Sequence, residues 1–209
     1  MSRTAILCLL PIAFLAAAPG VPSEARQDPP DPPGAEPAAA EPAATAGPDA
    51  DAEPEAAELL PEGREPRPGL VTGGQPTAEQ LEELAWAGYR TVIDLRTEGE
   101  PGAMADEAER VEALGMRYVR IPVAGAGDLT EEKARALDEL LDQDEAYPLV
   151  VHCARGDRVG ALLAVRAARL EGAAPEQALA LGLDAGLTGL EPAVRELLGL
   201  PAAPAEPQH

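Results

Sequence analysis

The sequence predicts an α/β domain: a mainly parallel central sheet flanked by helices. Three observations lead there. Short runs rich in β-branched residues alternate with helical stretches of roughly eleven residues. Glycine, proline and capping residues punctuate the boundaries. One run, Leu149-Val150-Val151, is wholly apolar, as a strand covered on both faces requires.

In chain order, Leu70-Val71-Thr72 is a short strand closed by Gly73-Gly74. Thr77 with Gln80 forms a capping box for a helix through Ala87, and Gly88 stops it. Trp86 rides on that helix beside Leu81 and Leu84 and is expected in the core. Thr91 to Leu95 is the second strand. Met104 to Leu114 is helical and ends at Gly115. Arg117 to Ile121 is the third strand, and Thr130 to Leu141 the next helix. Leu149 to His152 is the last strand and the central one. Val159 to Leu170 is a helix ended by Gly172, Pro175 opens another, and a short one covers about Pro192 to Leu198. Sites in such sheets lie at the carboxyl ends of the strands, and His152-Cys153 stands at one of them.

Composition divides the remainder. Ser2-Arg3, the apolar stretch Ala5 to Ala18 and Ser23-Glu24-Ala25 have the order of a signal peptide, assigned to residues 1–25. The stretch is broken by Pro11 and too short for a convincing membrane span, so the mature protein is expected to be exported, periplasmic or secreted, without one. Residues 26–67 hold ten of the 23 prolines among Ala, Glu and Asp, and read as a disordered acidic linker. The domain occupies 68–200, and 201–209 is a flexible tail. The net charge of −21 with no basic stripe, and only five aromatic residues, exclude a nucleic-acid partner and disfavour polyanionic ones. Of the two cysteines, Cys8 lies in the leader, so the mature chain carries a single thiol. With one cysteine and two histidines no metal site is expected, and no cofactor.

That thiol opens the segment His152-Cys153-Ala154-Arg155-Gly156-Asp157-Arg158-Val159-Gly160. A strand ends in a cysteine, a short glycine-containing loop follows, and a helix begins. Backbone N–H groups of such a loop and the positive end of the helix dipole converge where Cys153 sits. They favour the thiolate, which is the nucleophile, and His152 and Arg158 add to the effect. His152, Ala154, Arg155, Gly156 and Asp157 are the candidate anion-binding residues, with Cys153 the nucleophile. An inert cysteine at a strand end is the alternative.

Gly74-Gln75-Pro76-Thr77, Gly88-Tyr89-Arg90-Thr91-Val92-Ile93-Asp94-Leu95-Arg96, and Val151-His152-Cys153 through Arg158-Val159-Gly160-Ala161-Leu162 resemble one family. It is the phosphatase-like domain of the bacterial beta-lactamase-hydrolase-like proteins, in the dual-specificity tyrosine phosphatase superfamily. The resemblance covers about residues 68 to 190. It implies a dual-specificity-phosphatase-like fold, Cys153 as nucleophile, Arg158 as oxyanion clamp, His152 tuning the cysteine, and Gly156 permitting the tight loop. The implied substrate is a phosphorylated protein or a small phosphoester.

Two features depart from that pattern. Four residues separate Cys153 from Arg158 where tyrosine phosphatases have five, and Val159 stands where a hydroxyl usually follows the arginine. The shorter loop is similar to that of rhodanese-type sulfurtransferases, so persulfide chemistry on a sulfur oxyanion is the second reading. A non-catalytic anion-binding module is the third. For the general acid, Asp128 lies in the family's usual region, yet Asp128 with Glu131 also reads as a capping box. Asp157, inside the loop, is the second candidate. Arg96 is expected as an ion-pair residue at a strand end. Arg155 is read as positive potential at the mouth or as solvated, and Gln75 as a turn residue or one that reaches the site.

Overall fold

The computed structural model describes residues 56–203. The segments read above as a signal peptide, most of the linker and the end of the tail lie outside the described residues. The strands β1 (Arg64–Arg67), β2 (Leu70–Gly73), β3 (Thr91–Asp94), β4 (Arg117–Arg120) and β5 (Leu149–His152) form one sheet in the order β1-β2-β5-β3-β4. Every pair is parallel except β1 with β2. The helices are α1 (Ala78–Trp86), α2 (Glu107–Ala113), α3 (Glu131–Leu141), α4 (Asp157–Arg169), α5 (Pro175–Asp184) and α6 (Glu191–Leu198). None of the helices is long and apolar enough to cross a membrane.

Strand β5 is central, and its side chains alternate between two cores. Leu149 and Val151 join the core with α3 and α4, while Val150 joins Val71, Val92, Leu81 and Leu84 on the other face. Leu149, Val150 and Val151 are all 0 % exposed, so the apolar run is what a strand covered on both sides needs. The Thr77–Gln80 capping box forms in full.

Two expectations fail for geometric reasons. Trp86 is 90 % exposed. It lies two residues past Leu84 and five past Leu81, which at 100° per residue turns it away from the face those leucines bury. The linker also ends earlier than composition suggests. Leu59 and Leu60 are buried in the α1-side core, and Arg64–Arg67 pairs antiparallel with β2. An Arg-Glu-Pro-Arg edge strand has no apolar alternation, so only its pairing reveals it.

Helices α4 and α5 meet backbone to backbone. A Cβ added at Gly160 would lie 2.3 Å from the Leu187 nitrogen and 2.4 Å from the Gly182 oxygen. Gly160→Ala is therefore expected to destabilise the domain by about 3 kcal/mol, near the top of the overpacking range. Gly127→Ala, at a position with nothing within 4 Å, should leave thermal unfolding unchanged. Equal melting temperatures for the two variants would contradict the close crossing.

Candidate active site

The loop after β5 is shaped by its neighbours. The Cys153 N–H donates to the Gly73 carbonyl at 3.2 Å and the Gln75 N–H to the Ala154 carbonyl at 3.4 Å, so the β2–α1 turn clamps one side. Gly156 closes the loop at φ +85°, a left-handed conformation that glycine adopts without a Cβ penalty, and α4 begins at the next residue. The Val159 and Gly160 N–H groups donate to the Gly156 carbonyl at 3.0 and 3.1 Å, which leaves those of Asp157 and Arg158 as the first-turn donors without a backbone partner among the described residues. Cys153 lies at the floor, 1 % exposed. Ala154 and Arg155 are exposed, and Gly156 is buried.

Arg158 stands at the first turn of α4. Its Nη1 donates to Glu100 Oε2 at 2.7 Å and to the Val123 carbonyl at 2.8 Å, and its Nη2 to Glu100 Oε1 at 2.7 Å. A guanidinium has five donors. The edge made by Nε and the second Nη2 hydrogen donates to neither Glu100 nor Val123, and the other side chain the guanidinium meets is Cys153, so a fork is left for an oxyanion at the cysteine. The Glu100 carboxylate and the Cys153 sulfur both favour the charged guanidinium and hold its pKa above the ordinary arginine value.

The same contact holds Glu100 far below the usual glutamate range, from 4.5 to about 2, chiefly through the Arg158 hydrogen bonds. A carboxyl whose folded value is depressed stabilises the fold above its unfolded value and loses that contribution as pH falls. Wild type should thus lose stability between about pH 4.5 and 2 more steeply than Glu100→Gln, read by denaturant titration across that window. Parallel acid profiles would contradict the pair.

Behind the cysteine, His152 is 0 % exposed, with Nε2 at 3.1 Å from Glu107 Oε1 and 4.0 Å from Asp94 Oδ1. Asp94 accepts from the Arg96 N–H at 2.7 Å, the Tyr118 hydroxyl at 2.7 Å and Arg120 Nε at 3.1 Å. Burial and the Asp94 carboxylate raise the Tyr118 hydroxyl to a value well above the usual phenol. Neither ring nitrogen of His152, nor Glu107 Oε2, has a hydrogen-bond partner.

Asp94, Glu107 and His152 could therefore hold a metal ion, since their ligand atoms lie within 4.8 Å of one another. Asp94 is joined to the guanidinium of Arg120 and Glu100 to those of Arg96 and Arg158, whereas Glu107 is joined to the neutral amide of Gln75.

The remaining candidates are placed as follows. Asp128 is not the helix cap: Thr130 is, its side chain accepting from the Lys133 N–H, because α3 starts two residues later than an Asp128 cap would require. Asp128 ends a 3₁₀ turn and accepts the Ala124 N–H at 2.8 Å, with Lys133 at 3.0 Å, and those two contacts hold its carboxyl below the ordinary aspartate value. It flanks the site, since Ala124 follows the Val123 carbonyl that Arg158 grips. The Asp157 carboxylate does not line the loop interior: Oδ1 accepts the N–H groups of Thr188 and Leu190 at 2.8 and 3.1 Å and ties α4 to the α5–α6 connection. Val159 is 0 % exposed in the α4 core. Arg96 makes the expected ion pair, with Glu100 at 3.0 Å. Glu100 and Glu107 were not singled out from the sequence. The turn glycines Gly99 and Gly102 that flank Glu100 mark a shaped loop, but nothing marks Glu107 except its place in the first turn of α2.

A parallel sheet with a cysteine–arginine loop at the end of its central strand defines a phosphatase fold of the dual-specificity and tyrosine phosphatase class. The chain belongs to the family described as DSP-PTPase phosphatase fused to NAD+ kinase, whose model matches residues 58–182. It is 34 % identical over 99 residues to a beta-lactamase hydrolase-like protein of Xylella fastidiosa, covering 46 % of this chain and 22 % of that protein. It is 34 % identical over 92 residues to one of Agrobacterium fabrum, covering 43 % and 21 %. The chain therefore spans about a fifth of the length of these relatives. A solved structure described as a phosphatase from Shewanella putrefaciens CN-32 matches at 25 % identity with a TM-score of 0.54, over 66 % of this chain and 89 % of that one. One from Neisseria meningitidis shares the fold at 23 % identity and a TM-score of 0.54, over 64 % and 96 %.

Proposed function

We propose that the domain is a cysteine-dependent phosphoric monoester hydrolase acting on a phosphorylated protein or a small phosphoester. The observation that carries this reading is Arg158 beside Cys153, gripped on one edge by Glu100 and Val123 and open on the other. The Cys153 thiolate attacks phosphorus, the P–O ester bond breaks with its electrons going to the leaving oxygen, and that oxygen takes a proton from solvent water. Arg158 and the loop N–H groups of residues 154–158 hold the equatorial oxygens as charge spreads over them. Water then attacks phosphorus, the P–S bond breaks, and thiolate and phosphate are released. Export of the domain is part of the same proposal and rests on the signal-like order of residues 1–25.

The test is the purified chain with an aryl phosphate and, separately, with thiosulfate and a thiol acceptor. Turnover of the first and none of the second is expected. Persulfide transfer without phosphate release would overturn the reading. Sulfur transfer has no counterpart in the family or in the solved structures named above. Asp128 supports a limited role, because two contacts keep it ionised while an acid must carry a proton. Losing a general acid typically costs about 10²–10⁴-fold. Asp128→Asn is expected to cost less than about tenfold on an unactivated alkyl phosphate, and a loss of two orders or more would make it the acid.

A further inference from the structure

We propose that Gln75 is a positioning residue that couples the setting of His152, beside the nucleophile, to the setting of Arg158 on the anion loop. The inference rests on the phosphatase reading and adds a residue to it. Gln75 lies in the turn between β2 and α1. Its Nε2 donates to Glu107 Oε1 at 2.8 Å, the same oxygen that faces His152 Nε2 at 3.1 Å. Its Oε1 accepts Arg96 Nη1 at 2.9 Å. Arg96 Nε then donates to Glu100 Oε1 at 3.0 Å, and Glu100 takes both Nη groups of Arg158.

One continuous chain of contacts thus runs from the imidazole to the guanidinium, and Gln75 is its one neutral link. The position needs a group that donates on one side and accepts on the other. A carboxylate faces the NH₂ and a guanidinium faces the C=O, so the amide has a single satisfying orientation. Arg96 is held besides by the carbonyls of Gly102 and Pro101, at 2.8 and 2.6 Å, which makes it a fixed post. Glu107, 1 % exposed, has no such backbone anchor for its carboxylate, and the hydrogen bond it accepts comes from Gln75. The charged groups facing His152 are Asp94 of β3 and Glu107 of α2, with Tyr118 and Arg120 of β4 against Asp94. The one facing Cys153 is Arg158 of α4.

Loss of the amide therefore frees Glu107 to turn from His152, which disturbs the setting of Cys153 next to it, and loosens the Arg96–Glu100 support of Arg158. The test is made on the full chain with Gln75→Leu and Gln75→Glu. Alkylation is followed on the Cys153 peptide by mass spectrometry against pH, and vanadate affinity by calorimetry. For Gln75→Leu, alkylation in mildly acid buffer should slow roughly tenfold and converge with wild type in alkaline buffer. Its vanadate affinity should fall roughly tenfold. Gln75→Glu keeps the acceptor for Arg96 and loses the donor to Glu107, so vanadate affinity should return toward wild type while alkylation stays slow. This variant carries the test if Gln75→Leu fails to fold. A residue that only supports the fold would lower the melting temperature and leave the pH profile in place. A fast wild type with equally fast variants overturns the inference alone. A wild type that alkylates like free cysteine overturns the phosphatase reading and the inference with it.

Discussion

Cys153→Ser is expected to lower phosphomonoester turnover by at least about four orders of magnitude while leaving the fold intact. The side chain is 1 % exposed and packed in the α4-side core, and serine is smaller by little, so the loop should keep its shape. What is lost is the proposed sulfur nucleophile, set between the His152 cluster and Arg158 at the start of the loop. A serine hydroxyl does not ionise in that field. The variant should still bind vanadate, because the donors that hold the oxyanion are untouched. Steady-state kinetics, thermal unfolding and calorimetry on one preparation separate these outcomes. Retained turnover would remove the nucleophile from Cys153.

Arg158→Lys is the second large effect. A lysine keeps the charge but offers a point donor where the guanidinium serves three acceptors at once and keeps an edge free. Lysine cannot grip Glu100 with two parallel bonds and also present a fork to phosphate. Vanadate affinity should fall by about 2–3 kcal/mol, roughly 30- to 150-fold, in line with charge-assisted bonds to an anion. Equal affinities would show that charge alone attracts the oxyanion.

Much of the fold was legible because the sheet is buried on both faces. Leu149-Val150-Val151 could only be a central strand, and the Thr77–Gln80 pair marked the start of α1 by a purely local rule. The cysteine loop was legible for the same reason: Cys153, Gly156 and Arg158 lie within six consecutive residues, and their meeting is set by one turn. Elements defined by partners were not legible. β1 is polar and exists through its pairing with β2, and Asp128 lost the cap to Thr130 by two residues. The support around the site was hidden for a different reason. Glu100 and Arg158 lie 58 positions apart, and Gln75 and Glu107 lie 32 apart, so only the packing of α2 beside α1 and β4, and of the β3–α2 loop beside α4, joins them. Buried acids in amphipathic or turn segments look like solvated ones until the neighbours are known.

The central claim is that phosphate passes through Cys153. Mixing the chain with an aryl phosphate, quenching in acid within the first turnovers, and mapping peptides by mass spectrometry tests it directly. The account predicts a phosphoryl group on the Cys153 peptide in wild type and none in Cys153→Ser. Phosphate release with no adduct on that peptide, or an adduct on another residue, would contradict it.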